Sequence, residues 1–338
     1  MRRLFRDLSV VLLVVWVVVA TTLRRLLRGA KHPAWSYRFE IVTEVVRAVM
    51  LLGHRYMAID LRRQMPTLPL SPGLRRRLDW QRGRIAGLPM EQHTPSAWQP
   101  GDLVWLHLHG GAYSMCSPAT HRGLAARIAL GTGARCIVLD YRKAPEHPYP
   151  AAIDDAFAAY GALLAEGVAP SSILLGGDSA GGGLALALLQ RLRDAGLPQP
   201  RAAILLSPWV DLTARGGTID DNGRYDYLSA EMLVWGAATY LAGADANGPL
   251  ASPIYADLRG LPPLLVQTGG GEIFLDQNLA FVERARAAGV PVSHEVSDGM
   301  VHVFQAFAGF PAASQAIASI AAFVKSVQVD APAASTLS

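Results

Sequence analysis

Short apolar runs that read as β-strands alternate with helical runs from Leu103 to Val296, and this alternation constrains the chain more than any other feature. The strands are predicted at Leu103–Leu108, Ala134–Leu139, Ser172–Leu175, Ala202–Leu206, Leu264–Gln267 and Val292–Val296. Helical stretches fill the gaps, among them Ala119–Leu130, Tyr149–Leu164 and Gly182–Arg193. Apolar strands separated by helices predict an α/β architecture, a mostly parallel sheet covered on both faces. Thr213 to Asn247 interrupts the alternation with the length and helical content of a cap insertion. A short stretch ahead of Leu103 reads as an antiparallel hairpin.

The chain has 338 residues, 51% of them hydrophobic, enough for one large domain with a smaller cap. Two cysteines, Cys116 and Cys136, exclude a disulfide scaffold and a cysteine zinc site. The formal charge of +4 is misleading. Residues 1–31 hold seven cations against Asp7 alone, a net +6, so the remainder carries −2. The body therefore lacks the basic balance of a nucleic-acid binder. The basic end flanks an uncharged 16-residue run, Leu8 to Leu23. It is short for a full membrane span, and no small-x-small cleavage site follows it. A buried core helix is one reading. The favoured expectation is an uncleaved anchor that associates the protein with a membrane through residues 8–23, on a side the flanking arginines leave open. Residues 32–80 read as an amphipathic helical segment broken by Pro66, Pro69 and Pro72, a lid over the body or along a membrane. The catalytic body is expected over 81–329, and residues 330–338 as a disordered tail.

LLGGDSAGGG, Leu174 to Gly183, places a G-x-S-x-G pattern between a strand and a helix. An ordinary glycine-rich turn is the bland alternative. The position instead favours a sharp elbow that lifts the Ser179 hydroxyl above the sheet edge, with a helix N-terminus aimed at any anion formed there. A serine needs a base, and the base an orienting carboxylate. His302 in SDGMVHVF follows a predicted strand, whereas His32 and His54 lie in the N-terminal segment and His294 inside a strand. Glu272 lies just beyond the Leu264 strand. It could simply cap the following helix, and Asp276, one turn later, is the rival acid. The order Ser179, Glu272, His302 is the one expected of an α/β-hydrolase fold. In LHLHGGAYS, the backbone N–H groups of Gly110, Gly111 and Ala112 follow the first core strand, as an oxyanion loop should. Ala180, immediately after the nucleophile, supplies the other donor.

HGGAYSMCSPATHRGLAARIA, DYRKAPEHPYPAAIDD, GGDSAGG, LSPWVDLT, the Glu272 loop and SDGMVH occur here in this order. In these motifs, from about Asp102 to Val327, the chain resembles the hormone-sensitive-lipase-like (bacterial family IV) carboxylesterases, which include arylacetamide-deacetylase-like enzymes. The resemblance implies an eight-stranded mostly parallel sheet, a helical cap with an N-terminal contribution, and a serine carboxylesterase acting on short- to medium-chain acyl esters. It puts the nucleophile on Ser179, the base on His302, the acid on Glu272 where many members have aspartate, and the oxyanion motif HGGG on His109 to Ala112. Ala112 keeps the N–H and preserves the hole if its φ is negative. Asp178 is assigned local hydrogen bonding. Asp140, Tyr141, Arg142, Pro145 and Glu146 read as a rigid turn with an Arg–Glu pair, His107 as packing behind the loop, His109 as its anchor, and Cys116 as an inert thiol.

No cofactor and no metal are called for, and the expected partner is a small hydrophobic ester. Dimers are frequent in such families, so a homodimer stays open. Two other functions fit less well: a membrane-associated lipid, amide or lactone deacylase, and a non-catalytic small-molecule binder on the same scaffold.

Overall fold

A parallel sheet needs its strands joined by crossovers, and the chain supplies a helix for nearly every one. The computed structural model describes residues 2–56 and 69–329. The strands are β1 (Leu78–Ile85), β2 (Leu88–Pro95), β3 (Val104–Leu108), β4 (Arg135–Leu139), β5 (Ile173–Asp178), β6 (Ala202–Leu206), β7 (Leu264–Gly269) and β8 (Val292–Ser297). They form one eight-stranded sheet in the order β1-β2-β4-β3-β5-β6-β7-β8. β1 and β2 make the expected antiparallel hairpin, closed at Ala86-Gly87 with both φ positive, and β2 pairs antiparallel with β4. Every other pairing is parallel.

The helices are α1 (Arg2–Arg28), α2 (Tyr37–Tyr56), α3 (Pro72–Arg75), α4 (Pro118–Thr132), α5 (Ala151–Ala165), α6 (Ala180–Asp194), α7 (Thr218–Asp221), α8 (Ala230–Leu241), α9 (Leu275–Ala287) and α10 (Pro311–Val329). Alternate strand residues divide the core in two. Leu106, Leu108, Leu175, Leu205 and Val266 pack with α5, α6 and α9. Trp105, Val138, Leu174, Ile204 and Leu265 pack with α4 and α10 on the other face. α7 and α8 lie within residues 213–247, between β6 and β7.

Two differences from expectation bear on the site and the N-terminal segment. β5 continues through Gly176 and Gly177 to Asp178 rather than ending at Leu175. The ring of Trp105 fills the space where a side chain at 176 would stand, so glycine is what lets the strand pass. The helical segment expected over 32–80 overlaps a strand at its end, since β1 begins at Leu78. Helix α2 occupies Tyr37–Tyr56, and Trp80 lies in β1 opposite His93. Pro66 and the tail 330–338 fall outside the described residues.

The membrane expectation is corrected. Among the described residues, no helix is long and apolar enough to cross a membrane. The uncharged run in α1 would rise only about 24 Å, against a hydrocarbon core of about 30 Å. Three of the cations that follow it are also engaged within the protein. Arg24 and Arg25 pair with the buried Glu40 of α2, and Lys31 pairs with Glu44. Val17 and Thr21 are buried, and the Thr22 hydroxyl lies 2.6 Å from that of Tyr37. The membrane-associated localisation and partner assigned to residues 8–23 are withdrawn with it.

Candidate active site

In a mostly parallel sheet the strand C-termini open onto one edge, where loops carry polar groups together. β5, β6, β7 and β8 are consecutive neighbours, so the segments following them converge. Ser179 follows β5, Ser207 follows β6, Glu272 follows β7 and His302 follows β8.

Ser179 sits on the elbow with φ 54° and ψ −124°, and α6 begins at the next residue. Such a turn needs neighbours without side chains. A Cβ on Gly177 would strike the carbonyl of Gly181, and one on Gly181 would strike the carbonyl of Leu108. The elbow is fixed on both sides by backbone bonds: Ser179 N–H donates to Leu206 O at 2.9 Å, and Trp209 N–H donates to Ser179 O at 2.9 Å.

Glu272 and His302 are both buried. Glu272 Oε1 stands 3.9 Å from His302 Nδ1. Its Oε2 accepts from the Ser207 hydroxyl at 2.6 Å and from Gly269 N–H at 2.7 Å. Asn278 Nδ2 reaches Oε1 at 3.4 Å. The Ser207 hydroxyl in turn accepts from Val303 N–H at 3.0 Å, so one side chain ties the Glu272 loop to the His302 loop. The His302 ring meets Phe274 edge-on at 4.9 Å and lies 5.9 Å from the Tyr227 ring. Burial would lower the His302 pKa, but the facing Glu272 carboxylate, with Asp226 and Asp178 beyond it, raises it above the usual histidine value. The rival Asp276 accepts from Thr218 N–H at 2.8 Å.

Gly110, Gly111 and Ala112 lie in the loop after β3. Tyr141 donates to His109 O at 2.6 Å and stacks on the His109 ring at 4.4 Å. His109 Nδ1 lies 2.7 Å from Gly110 O. Burial lowers the His109 pKa to about 4, which keeps the ring neutral. The carbonyl of Gly111 accepts from Ser114 and Met115 N–H groups. Among the described residues, no acceptor is paired with the N–H groups of Gly111, Ala112 or Ala180. Ala112 departs from the condition set for it: its φ is +50°, in the left-handed region, not negative. For alanine that conformation costs about 1–2 kcal/mol, which the surrounding loop contacts must offset.

Asp178, beneath the elbow, contacts two histidines. His107 Nε2 lies 3.0 Å from Oδ1 and His121 Nε2 lies 3.2 Å from Oδ2. Burial alone would raise its pKa, but the charge of His121 and the hydrogen bonds of both rings hold it well below the usual carboxylate range. Arg142 pairs with Asp155 of α5 at 2.7 Å. Burial, and then the charge of Asp178, push the Cys116 thiol up to about 11, in keeping with an inert thiol. Among the described residues, no cluster of three or more His, Cys, Asp or Glu could hold a metal.

Ser207, His121, Asn278 and Asp226 were not singled out from the sequence. Ser207 had a usable signal, since it directly follows an apolar strand whose C-terminal end borders the site. His121 and Asp226 had none, because only the chain's return through space puts them there.

Residues 105–306 match a family described as having the alpha/beta hydrolase fold. An acetyl-hydrolase of Streptomyces hygroscopicus is 47% identical over 200 residues, 59% of this chain and 67% of that protein. An esterase of Acinetobacter venetianus is 45% identical over 250 residues, 73% of this chain and 82% of that protein. A crystal structure of an esterase from the bacterial hormone-sensitive lipase family superposes with a TM-score of 0.73 at 40% identity, covering 93% of this chain and 97% of its own.

Proposed function

Because the chain belongs to the hormone-sensitive-lipase-like esterases of the α/β-hydrolase superfamily and hydrolyses small acyl esters, we propose that Ser179, His302 and Glu272 are its nucleophile, base and orienting acid. The observation that carries this assignment is the buried Glu272–His302 pair, joined through Ser207 to the strand beside the elbow. Glu272 carries the extra methylene relative to aspartate and is held by Ser207, Gly269 and Asn278.

In this reading Ser179 Oγ attacks the ester carbonyl carbon while His302 takes the hydroxyl proton. Negative charge gathers on the carbonyl oxygen, where the N–H groups of Gly111, Ala112 and Ala180 receive it, with Gly110 setting the turn. Each such donor contributes about 3 kcal/mol. The bond to the leaving alkoxide breaks, and His302 returns the proton to it. Water then repeats the sequence on the acyl-enzyme and releases the acid. Glu272 keeps the imidazole oriented and offsets its positive charge.

Residues 32–56 and the insertion near 213–247 form the cap over this site. The Trp35 indole donates to Gly299 O at 2.5 Å, and Trp35 and Phe39 pack with Met300, Val301 and Phe304, around the base. A relative known as an acetyl-hydrolase supports short acyl groups. Ser179→Ala is expected to fold but to lose turnover of short p-nitrophenyl esters and labelling by a fluorophosphonate. Wild-type hydrolysis by that variant would remove the assignment. A panel of acetyl to dodecanoyl esters should favour the short half.

A further inference from the structure

Asp226 is fully buried, in the cap insertion between α7 and α8. Its carboxylate accepts from three backbone N–H groups: Tyr227 at 2.7 Å, Ile273 at 2.9 Å and His302 at 3.3 Å. Two of those donors lie on the loops of the assigned acid and base. Ile273 is the residue after Glu272, and His302 is the assigned base. One cap carboxylate therefore holds the main chain of the acid loop and of the base loop together. A neighbour works the same way: Asn222 Nδ2 donates to Glu272 O at 2.9 Å. From outside, Arg47 of α2 donates to the carbonyls of Arg224, at 2.7 Å, and Asp226, at 3.0 Å.

We propose that Asp226 is a positioning residue for the esterase reaction, setting the Glu272–His302 geometry from the cap and placing a second negative charge beside the imidazole. This rests on the assignment of Glu272 and His302 above. A buried carboxylate that accepts three N–H groups and flanks a base does two things. It fixes the loops whose separation decides whether the base is oriented. It also stabilises the imidazolium formed as the Ser179 proton moves.

The groups around the pair come from several elements. Facing His302 are Glu272 from the loop after β7, Asp226 from the cap and Asp178 from β5, with the Tyr227 ring alongside. Facing Asp226 are His302 and Glu272, while the Arg47 guanidinium from α2 is spent on main-chain carbonyls. Burial raises the Asp226 carboxyl to about 6, with His302 pulling it down and Glu272 pushing it up.

The test is Asp226→Asn in the full chain, assayed with p-nitrophenyl acetate over a pH series. The expected result is a fall in kcat of roughly 10- to 100-fold at little-changed KM, with the acidic limb of the kcat profile moved to lower pH. Asp226→Glu, which keeps the charge, should leave the limb near its wild-type position. A lower melting temperature with kcat and the limb unmoved would make Asp226 mere structural glue and overturn the proposal. If Asp226→Asn does not fold, Asn222→Ala and Arg47→Ala loosen the same segment; kcat unchanged in both would also overturn it. Fluorophosphonate labelling of Ser179 and the turnover of His302→Gln are measured beside these variants. Absence of Ser179 labelling, or wild-type turnover by His302→Gln, would discredit the assigned triad, whereas a labelled Ser179 and an inactive His302→Gln beside an indifferent Asp226→Asn discredit only the role of Asp226.

Discussion

Gly236 of cap helix α8 lies against Ala112 of the loop after β3: a Cβ at 236 would stand 3.1 Å from that of Ala112 and 3.4 Å from the Trp209 ring. Ala112 occupies a position where the family motif has glycine, and the missing Cβ on the cap helix leaves room for the one Ala112 adds. Gly236→Ala should therefore crowd the loop, costing about 1–3 kcal/mol and lowering kcat. Ala112→Gly should relieve that crowding, so the double variant recovers most of the loss. A double-mutant cycle by urea unfolding and ester hydrolysis measures the coupling. Simple additivity of the two substitutions would mean that the residues do not oppose each other.

The pH profile should carry the sign of the His302 shift. A base must be neutral to take a proton, so activity falls as the pH drops through its pKa. Burial works to lower that pKa and the Glu272 carboxylate outweighs it. The acidic limb of kcat/KM is thus expected above the ordinary histidine value of about 6.5. Glu272→Gln removes the charge and should shift the limb downward, with a loss in kcat of about 100-fold or more. A wild-type limb at or below the ordinary value would contradict the pairing.

Asp178 with His107 and His121 is expected to govern the stability of the elbow. The folded pKa of Asp178 is depressed, so its contribution is present above about pH 4 and disappears as the pH falls through the lower folded value. The His121 pKa is raised: burial opposes the shift and the charge of Asp178 overcomes it. Its contribution is full below about pH 6.5 and is lost as the pH rises through the folded value. Asp178→Asn should cost about 3–5 kcal/mol near pH 6 and should shrink the decline in stability toward alkaline pH. Urea midpoints across the pH series check both statements. An undiminished alkaline decline would show that His121 draws its charge stabilisation from elsewhere.

Much of the fold was legible because its signals are local. Apolar strands such as Ala202–Leu206 and Leu264–Gly269 stand out by composition, and a parallel sheet follows from their separation by helices. The elbow was legible because a tight turn demands glycine at fixed offsets from the serine. Glu272 and His302 were reachable because each follows a strand whose C-terminal end must border the same edge. α1 misled because hydropathy along a helix says nothing about what covers it; Arg24 and Arg25 are answered by Glu40, a residue on the next helix.

The sequence by itself determined the order of strands and helices, the elbow at Ser179 and the placing of the proposed acid and base after it, since each is written in neighbouring residues and a repeating period. The tertiary structure alone decided who holds those groups. His121 reaches Asp178 across 57 positions, Ser207 reaches Glu272 across 65, and Asp226 reaches His302 across 76. It also decided that Ala112 takes a positive φ. A hydrogen bond between distant segments depends on the path of the whole backbone, and a strained φ is held by every neighbour at once. Neither leaves a period or a spacing in the chain.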